Sequence, residues 1–453
     1  MREHSGLLTD LYELTMAAGY VEHGFAGRAT FELFVRHLPP RRSYLVAAGL
    51  EQALDYIAHV SFTSEEIAYL RGHPAFAQVG PRFFDFLASF RFHGDIWALP
   101  EGTIFFPGEP LLRVKAPIAE AQILETYLLS TLSFQTLIAT KAARLYTAAQ
   151  GRSVIEFGTR RAHSIGSGVL AARAAYIGGC QGTSNVYAGH AFGIPTYGTQ
   201  AHSWIMAQES EAEAFRRFVE LFPNHAVLLL DTYDVRAAVE TILAAKLKPR
   251  AVRLDSGDLA ADSIWVRRRL DAAGWQDVQV FASGDLDEDR VAELLARGAQ
   301  IDGFGVGTAL STSSDAPALG VVYKLAEMEE SGAVRVAAKF SHAKATYPGS
   351  KQVFRFADAQ GKFARDVIAL DDEHLPGGTP LLVQVMHAGQ PTLPQEPLGR
   401  LRVRFLDSFQ RLPEPLRRLD AAETYPVRHS ARLEAMLGQV RERVSRASSR
   451  TTR

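Results

Sequence analysis

AVLLLD (226–231), AVRLD (251–255), VQVFASGD (278–285) and IDGFGVGT (301–308) share one pattern. Each is a short apolar run that ends in Asp, Gly or Ser. SVIEF (153–157) opens the series and runs into Gly-Thr-Arg-Arg. Short apolar runs closed by turn formers read as strands buried on both faces. Helical patterns follow at Val235–Ala245, Leu259–Ala273 and Leu286–Ala296. Strand alternating with helix is the pattern of βα units around a parallel sheet, so the expected class is α/β. The units suffice to close a barrel, and an open sheet accommodates them equally. VVYKLAEM (321–328) is the candidate for the last strand.

Working outward, residues 1–118 read as an N-terminal α+β domain. FELFVRHL (31–38) is strand-like, and Gly49–Val60 and Ser64–Arg71 have helical spacing, with a capping box assigned to Ser64. Strand-like pieces follow at Asp95–Leu99, Ile104–Phe106 and Leu111–Val114. Residues 119–150 lack Gly and Pro until the end and read as one long connecting helix. Residues 151–330 hold the βα units, 331–400 are strand-rich, and 401–453 form a helical C-terminal segment. Its last residues, 441–453, carry five Arg against one Glu and read as a frayed, solvated tail.

Composition narrows the function. The 453 residues are 47% hydrophobic and 22% charged, which suits globular domains rather than disorder. A net charge of -1 gives no global attraction to nucleic acid or anionic lipid. One cysteine, Cys180, excludes an internal disulfide and a cysteine zinc cage. No signal-peptide core and no membrane-spanning run stand out, so a cytoplasmic protein is expected. Walker-type, HExxH, GxSxG and dinucleotide GxGxxG motifs are absent.

In parallel α/β proteins ligands sit at the carboxyl ends of the strands. Those ends here carry Asp231, Asp255-Ser256-Gly257-Asp258, Gly284-Asp285 and Gly305-Val306-Gly307-Thr308. One such Asp is ordinarily a helix cap, and Asp258 suits that role. Several at once point to a shared mouth. The glycines around Thr308 leave backbone N–H groups open to a phosphate, although a tight turn also wants Gly. Asp255 and Asp285 suit ribose hydroxyls, or a magnesium ion with its water shell, and Asp231 with Asp255 is a candidate metal pair. Ser256 and Gly284 belong to the same phosphate and ribose set. Arg253 shares a strand face with Asp255 and can either fork onto a ligand carboxylate or pair with its neighbour. Phe157 beside Gly158 offers a ring face, with Arg160 and Arg161 as anion contacts. His202 lies in GTSNVYAGHAFGIPTYGTQAHSWI (182–205), and a neutral imidazole can accept a phosphoryl group. His163 and His190 have no metal-ligand spacing.

The chain resembles the nicotinate phosphoribosyltransferase family, in the group that includes the nicotinamide and quinolinate enzymes. The matching words are LLTDLYELTMAAGY (7–20), EFGTRRAHS (156–164), residues 182–205, VRLDSGDL (252–259), FASGDLDE (281–288), DGFGVGTAL (302–310) and KATYPGSKQVFR (344–355). The resemblance implies an irregular or incomplete α/β barrel, an N-terminal α+β domain and a small C-terminal segment. It implies a homodimer with a shared active site, in which Tyr12 stacks on one face of the pyridine ring and Phe157 on the other. Arg253 would meet the ring's acid group, and Ser184 and Asn185 would give neutral contacts that favour nicotinate over nicotinamide. Arg160 and Arg161 would hold phosphate or carboxylate charge. Asp255 and Asp285 would hold the ribose, and Gly307 and Thr308 the 5-phosphate. His202 would be phosphorylated by ATP. The implied reaction joins nicotinate to phosphoribosyl pyrophosphate, with Mg2+ as cofactor, ATP as co-substrate and formal C–N ligase chemistry. Lys324, Lys344 and Lys351 are candidates for the pyrophosphate. Competing readings are a nicotinamide or quinolinate enzyme, a non-catalytic nicotinate or nucleotide sensor, and an unrelated barrel lyase or isomerase. The last should carry a Lys or Glu at a strand end, and these ends carry Asp.

Overall fold

Six short strands from the middle of the chain pair in one all-parallel sheet. In spatial order they are Gly182–Thr183, Ser153–Glu156, Gly303–Val306, Gln279–Ala282, Ala251–Leu254 and Val227–Leu229. The computed structural model describes residues 2–340, 346–420 and 423–451. Parallel pairing needs a crossover between strands, and helices fill each one, such as Ile165–Ile177, Val235–Ala244 and Leu259–Ala272. Leu228, Val252, Leu254, Val280, Phe304 and Val306 are fully buried, as strands covered on both faces require. Among the described residues, Gly182–Thr183 and Val227–Leu229 stay at the two edges and do not pair with each other. The sheet is therefore open, the incomplete form of the barrel.

By its internal contacts the chain divides into two units. One comprises Met1–Thr136, Ala318–Leu416 and Ala422–Arg453, and the other Leu137–Pro317 with Arg417–Ala421. The parallel sheet belongs to the second. Its helix starts show where the acidic residues go. Asp234 accepts from Ala237 N at 2.8 Å, Asp258 from Ala261 N at 3.3 Å and Asp287 from Arg290 N at 2.8 Å. Each caps the helix that follows. The third of these helices starts at Glu288, two residues later than its pattern suggests, because Asp287 is its cap. Asp231, Asp255 and Asp285 are thereby left without a capping role.

The first unit is built on a seven-stranded antiparallel sheet. Here the expectation for VVYKLAEM is corrected. Val321–Glu330 pairs antiparallel with Arg28–Val35, and Tyr323 stacks on Phe31 with centroids 4.7 Å apart. Its pattern of buried Tyr323, Ala326 and Met328 suits a sheet with one core face, not a strand buried on both. The capping box also moves: Thr63 Oγ1 accepts from Glu66 N at 3.2 Å, and Glu66 Oε2 accepts from Thr63 N at 2.8 Å. The long connecting helix is two helices, Ile118–Ile123 and Glu125–Ala148. The backbone of the C-terminal helix runs from Ala431 to Thr451, so over 441–451 the tail is helical rather than frayed. Among the described residues no helix is long and apolar enough to cross a membrane.

Two buried charge systems show pairing and burial acting in opposite directions on a carboxyl. In the second unit Glu288 sits 2.5 Å from Lys141 and 2.7 Å from Arg144. Burial alone would raise its carboxyl, but the two cations hold it below its ordinary value. Removing one member of a buried ion cluster leaves the others uncompensated. Glu288→Ala is expected to cost about 3–5 kcal/mol in denaturant unfolding of this unit. In the first unit Glu13 is fully buried and accepts from Thr126 N at 3.0 Å and Thr126 Oγ1 at 2.5 Å. Burial pushes its pKa up to about 8, with Glu125 adding repulsion. The folded chain therefore holds a proton that the unfolded chain releases near the ordinary 4.5. This contribution is fully present below that value and is lost as pH rises towards 8. The unfolding free energy of the wild type from urea titrations should fall over that window relative to Glu13→Gln, by on the order of a few kcal/mol.

Candidate active site at the strand ends

Because the six strands are parallel, their carboxyl ends lie on one side of the sheet. Phe157 follows the strand Ser153–Glu156 and donates its N–H to Val306 O at 2.8 Å. Its ring lies over Gly305, where an added Cβ would come within 2.5 Å of it. Gly305 is thus the bed of an aromatic ring. The space left by the missing side chain is filled by that ring. Gly158 and Gly307 let two strand-end turns touch: a Cβ on Gly158 would lie 2.8 Å from Gly307 O. Thr308 is exposed beside them and opens a short helix. Arg160 and Arg161 are exposed in the turn after Gly158 and make no ion pair among the described residues.

A second group forms around the strand Ala251–Leu254. Arg253 donates to Thr199 Oγ1, and its Nη2 lies 3.1 Å from Asp255 Oδ1. The neighbour pairing considered from sequence is therefore present. Ser283 also donates to Asp255. His202 Nε2 is 3.9 Å from Asp255 Oδ2, and its Nδ1 is 3.1 Å from Thr232 Oγ1. Asp231 Oδ2 accepts from Asp255 N at 3.1 Å and from Ser256 Oγ at 2.5 Å. Gly284 has φ +90°, and a Cβ there would run into the carbonyl oxygen of Asp255. Asp285 follows with φ 43° and is exposed. Three residues of this group keep buried polar atoms without a hydrogen-bond partner: Asp231 Oδ1, Arg253 Nε and both amide atoms of Gln200. Buried polar atoms are ordinarily satisfied, so these are free valences for a ligand, ion or water.

The remaining expected residues separate. Ser184 is half-buried at the end of the edge strand. Asn185 is committed elsewhere: its Oδ1 caps a helix by accepting from Ala188 N at 2.8 Å, and its Nδ2 donates to Thr159 Oγ1 at 3.0 Å. Tyr12, Lys324 and Lys351 belong to the first unit. Tyr12 is 46% exposed on the helix Leu11–Glu22, and burial, Glu125 and Glu13 raise its hydroxyl pKa. Lys324 stands opposite Glu32 in the antiparallel sheet. Lys351 is buried, 2.7 Å from Glu32 and donating to Tyr347 O at 2.9 Å and Gly349 O at 2.8 Å. Its three donors are used, which corrects its assignment to pyrophosphate. Lys344 lies outside the described residues. Thr199, Gln200, Thr232 and Ser283 are the site residues that the pattern does not single out, although three sit inside a strand-end or His202 word and Thr232 directly follows AVLLLD.

An open α/β unit with carboxylates, arginines and glycine turns at its strand ends is of the class that binds small phosphorylated ligands there. The profile described as the nicotinate phosphoribosyltransferase (NAPRTase) N-terminal domain matches residues 7–133, and that of the NAPRTase family matches residues 153–362. The chain belongs to the nicotinate phosphoribosyltransferase family. It is 45% identical over 450 residues to nicotinate phosphoribosyltransferase pncB2 of Mycobacterium tuberculosis, covering 97% of this chain and 95% of that one. It is 42% identical over 382 residues to nicotinate phosphoribosyltransferase of Bacillus subtilis, covering 82% and 77%. The crystal structure of human nicotinic acid phosphoribosyltransferase superposes with a TM-score of 0.83 at 29% identity, covering 95% and 99%.

Gly284→Ala tests the close approach on which this cluster depends. The substitution is expected to lower stability by about 1–3 kcal/mol, read from unfolding midpoints, because the strand end must move away from Asp255.

Proposed function

We propose that this chain transfers the phosphoribosyl group of phosphoribosyl pyrophosphate to nicotinate, giving nicotinate mononucleotide and pyrophosphate, in NAD salvage. The observation that carries this reading is the meeting of Arg253, Asp255 and His202, with contacts of 3.1 and 3.9 Å, in a chain of this family. The ring nitrogen of nicotinate has a free lone pair and needs positioning, not deprotonation. It attacks C1 of the ribose, and the C1–O bond breaks with its electrons leaving on pyrophosphate. Positive charge develops on the ribose ring, and the nearby carboxylates Asp255 and Asp285 favour it.

Arg253 suits the acid group of nicotinate. Its unpartnered Nε and its Nη2 form one edge of the guanidinium, the edge that takes a carboxylate in bidentate fashion. Binding there draws Nη2 from Asp255 and releases that carboxylate towards the ribose hydroxyls. Thr199 holds the other side of the guanidinium in place. Phe157 offers its ring, bedded on Gly305, to one face of the pyridine. The exposed Tyr12 of a partner subunit would cover the other, so a homodimer is part of the proposal. Thr308 with Gly307 would receive the 5-phosphate, and Arg160 and Arg161 the remaining anionic charge.

Magnesium and ATP belong to the same reading. The donor set fits a hard cation, since Asp231 keeps a buried carboxylate oxygen without a partner. Asp231 and Asp255 would hold the ion, which when bound neutralises charge on the departing pyrophosphate. His202 would attack the γ-phosphorus of ATP through Nε2 and release ADP; water later cleaves the P–N bond and frees phosphate. A phosphate on Nε2 would face Asp255 across the present 3.9 Å and compete with it for Arg253. That competition supports coupling of ATP use to the order of the site.

A coupled assay offering nicotinate, nicotinamide and quinolinate separately, with and without ATP, tests the proposal. Nicotinate mononucleotide formed from nicotinate alone, and faster with ATP, is expected. Preference for another ring overturns the substrate. His202→Ala should abolish nicotinate-dependent ATP hydrolysis while leaving slow transfer. Unchanged ATP coupling in that variant would sink the phosphohistidine step.

A further inference from the structure

His4, Asp55 and His59 lie in the first unit and have no part in the chemistry above. His4 Nε2 is 2.7 Å from Asp55 Oδ2, and His59 Nδ1 is 3.1 Å from Asp55 Oδ1. The two imidazole rings are 5.1 Å apart. The three ligand atoms lie within 4.8 Å of one another, and among the described residues this is the one group of three such side chains that does so. We propose that these residues form a site for a borderline divalent metal, Zn2+ in the first place, that clamps the N-terminal segment to the end of the helix Leu50–His59.

The ligand chemistry selects the metal. Two imidazole nitrogens and one carboxylate oxygen suit Zn2+ and its neighbours in the late first row, whereas Mg2+ and Ca2+ prefer oxygen alone. Three protein ligands leave a fourth tetrahedral position to water, which the exposure of Asp55 and His59 allows. Ligand atoms about 2.0–2.2 Å from a tetrahedral ion stand roughly 3.3 Å from one another, so the observed spacings need only small side-chain shifts. His59 Nδ1 also lies 2.8 Å from Asp55 O one turn back, a bond that the ring gives up when its lone pair turns to the metal.

The backbone around the site is already held. Ser61 N donates to His4 O at 3.2 Å, and Gly6 N donates to Ser61 O at 2.9 Å. Tyr56 donates its hydroxyl to Ser5 O at 3.2 Å, and Arg2 pairs with Glu66 at 2.6 Å. His4 is therefore positioned by a short strand-like bridge, and Asp55 and His59 by one helix turn at i and i+4. The same N-terminal segment leads directly into the helix that carries Tyr12. A metal here restrains the segment that precedes that helix.

The test uses the tag-free full chain with millimolar Mg2+ present, so that oxygen-rich sites are occupied. Calorimetric titration with ZnCl2 is expected to show one zinc per chain. His4→Ala, His59→Ala and Asp55→Asn should each weaken it by at least about tenfold, while His190→Ala leaves it unchanged. Hydrogen exchange in residues 2–6 should slow with zinc in the wild type and not in the three variants. If a variant fails to fold, the visible spectrum of the wild type with Co2+ decides, since tetrahedral nitrogen ligation gives an intense band. Equal zinc affinity in wild type and triad variants, no zinc bound below millimolar, or a Co2+ spectrum of the octahedral aquo type would overturn the proposal.

Discussion

Parallel pairing puts every strand's carboxyl end on the same side of the sheet, and the chemistry of this protein follows from that constraint. Residues from Phe157 to Thr308 are thereby placed at the strand ends, in two groups, one around Phe157 and Gly305 and one around Arg253 and Asp255. The neighbours Ala251–Leu254 and Gln279–Ala282 are in register, so the turns that follow them must pass closely. Gly284 makes that passage possible, since any Cβ would strike the carbonyl oxygen of Asp255. Asp255 itself is shared between Arg253, Ser283 and the approach of His202.

Acidic residues after a strand serve two competing purposes, and the structure divides them by position. Asp234, Asp258 and Asp287 turn back to cap helices, satisfying backbone N–H groups that have no partner inside the helix. Asp231, Asp255 and Asp285 come three residues earlier in the first two cases and two earlier in the third. They sit where the strand ends, too far from the helix start to cap it. The same logic separates the glycines. Gly305 accommodates a ring and Gly284 a carbonyl, whereas a Cβ on Gly307 would meet the Phe157 carbonyl no closer than 3.4 Å.

Much of this was legible in the chain. The apolar runs locate five of the six parallel strands to within a few residues, because burial on both faces leaves a continuous hydrophobic signal. The sixth, Gly182–Thr183, is two residues long and carries no such signal. Val321–Glu330 misleads for the opposite reason: it continues the order of strands but pairs with Arg28–Val35, some 290 residues away in the chain. Lys351 and Asn185 have the right chemistry for a ligand, yet pairing with Glu32 and capping of a helix use their polar groups first.

Periodicity and charge are local properties, so the chain alone carries the α/β class, the residue types at the strand ends and the cap at Asp258. Long-range packing settles the rest: the sheet stays open, Arg253 rests on Asp255 and Thr199, and Asp231 keeps a buried oxygen without a partner. Those outcomes depend on which distant groups become neighbours. Whether a buried polar atom is satisfied is set by its surroundings, not by its own residue type.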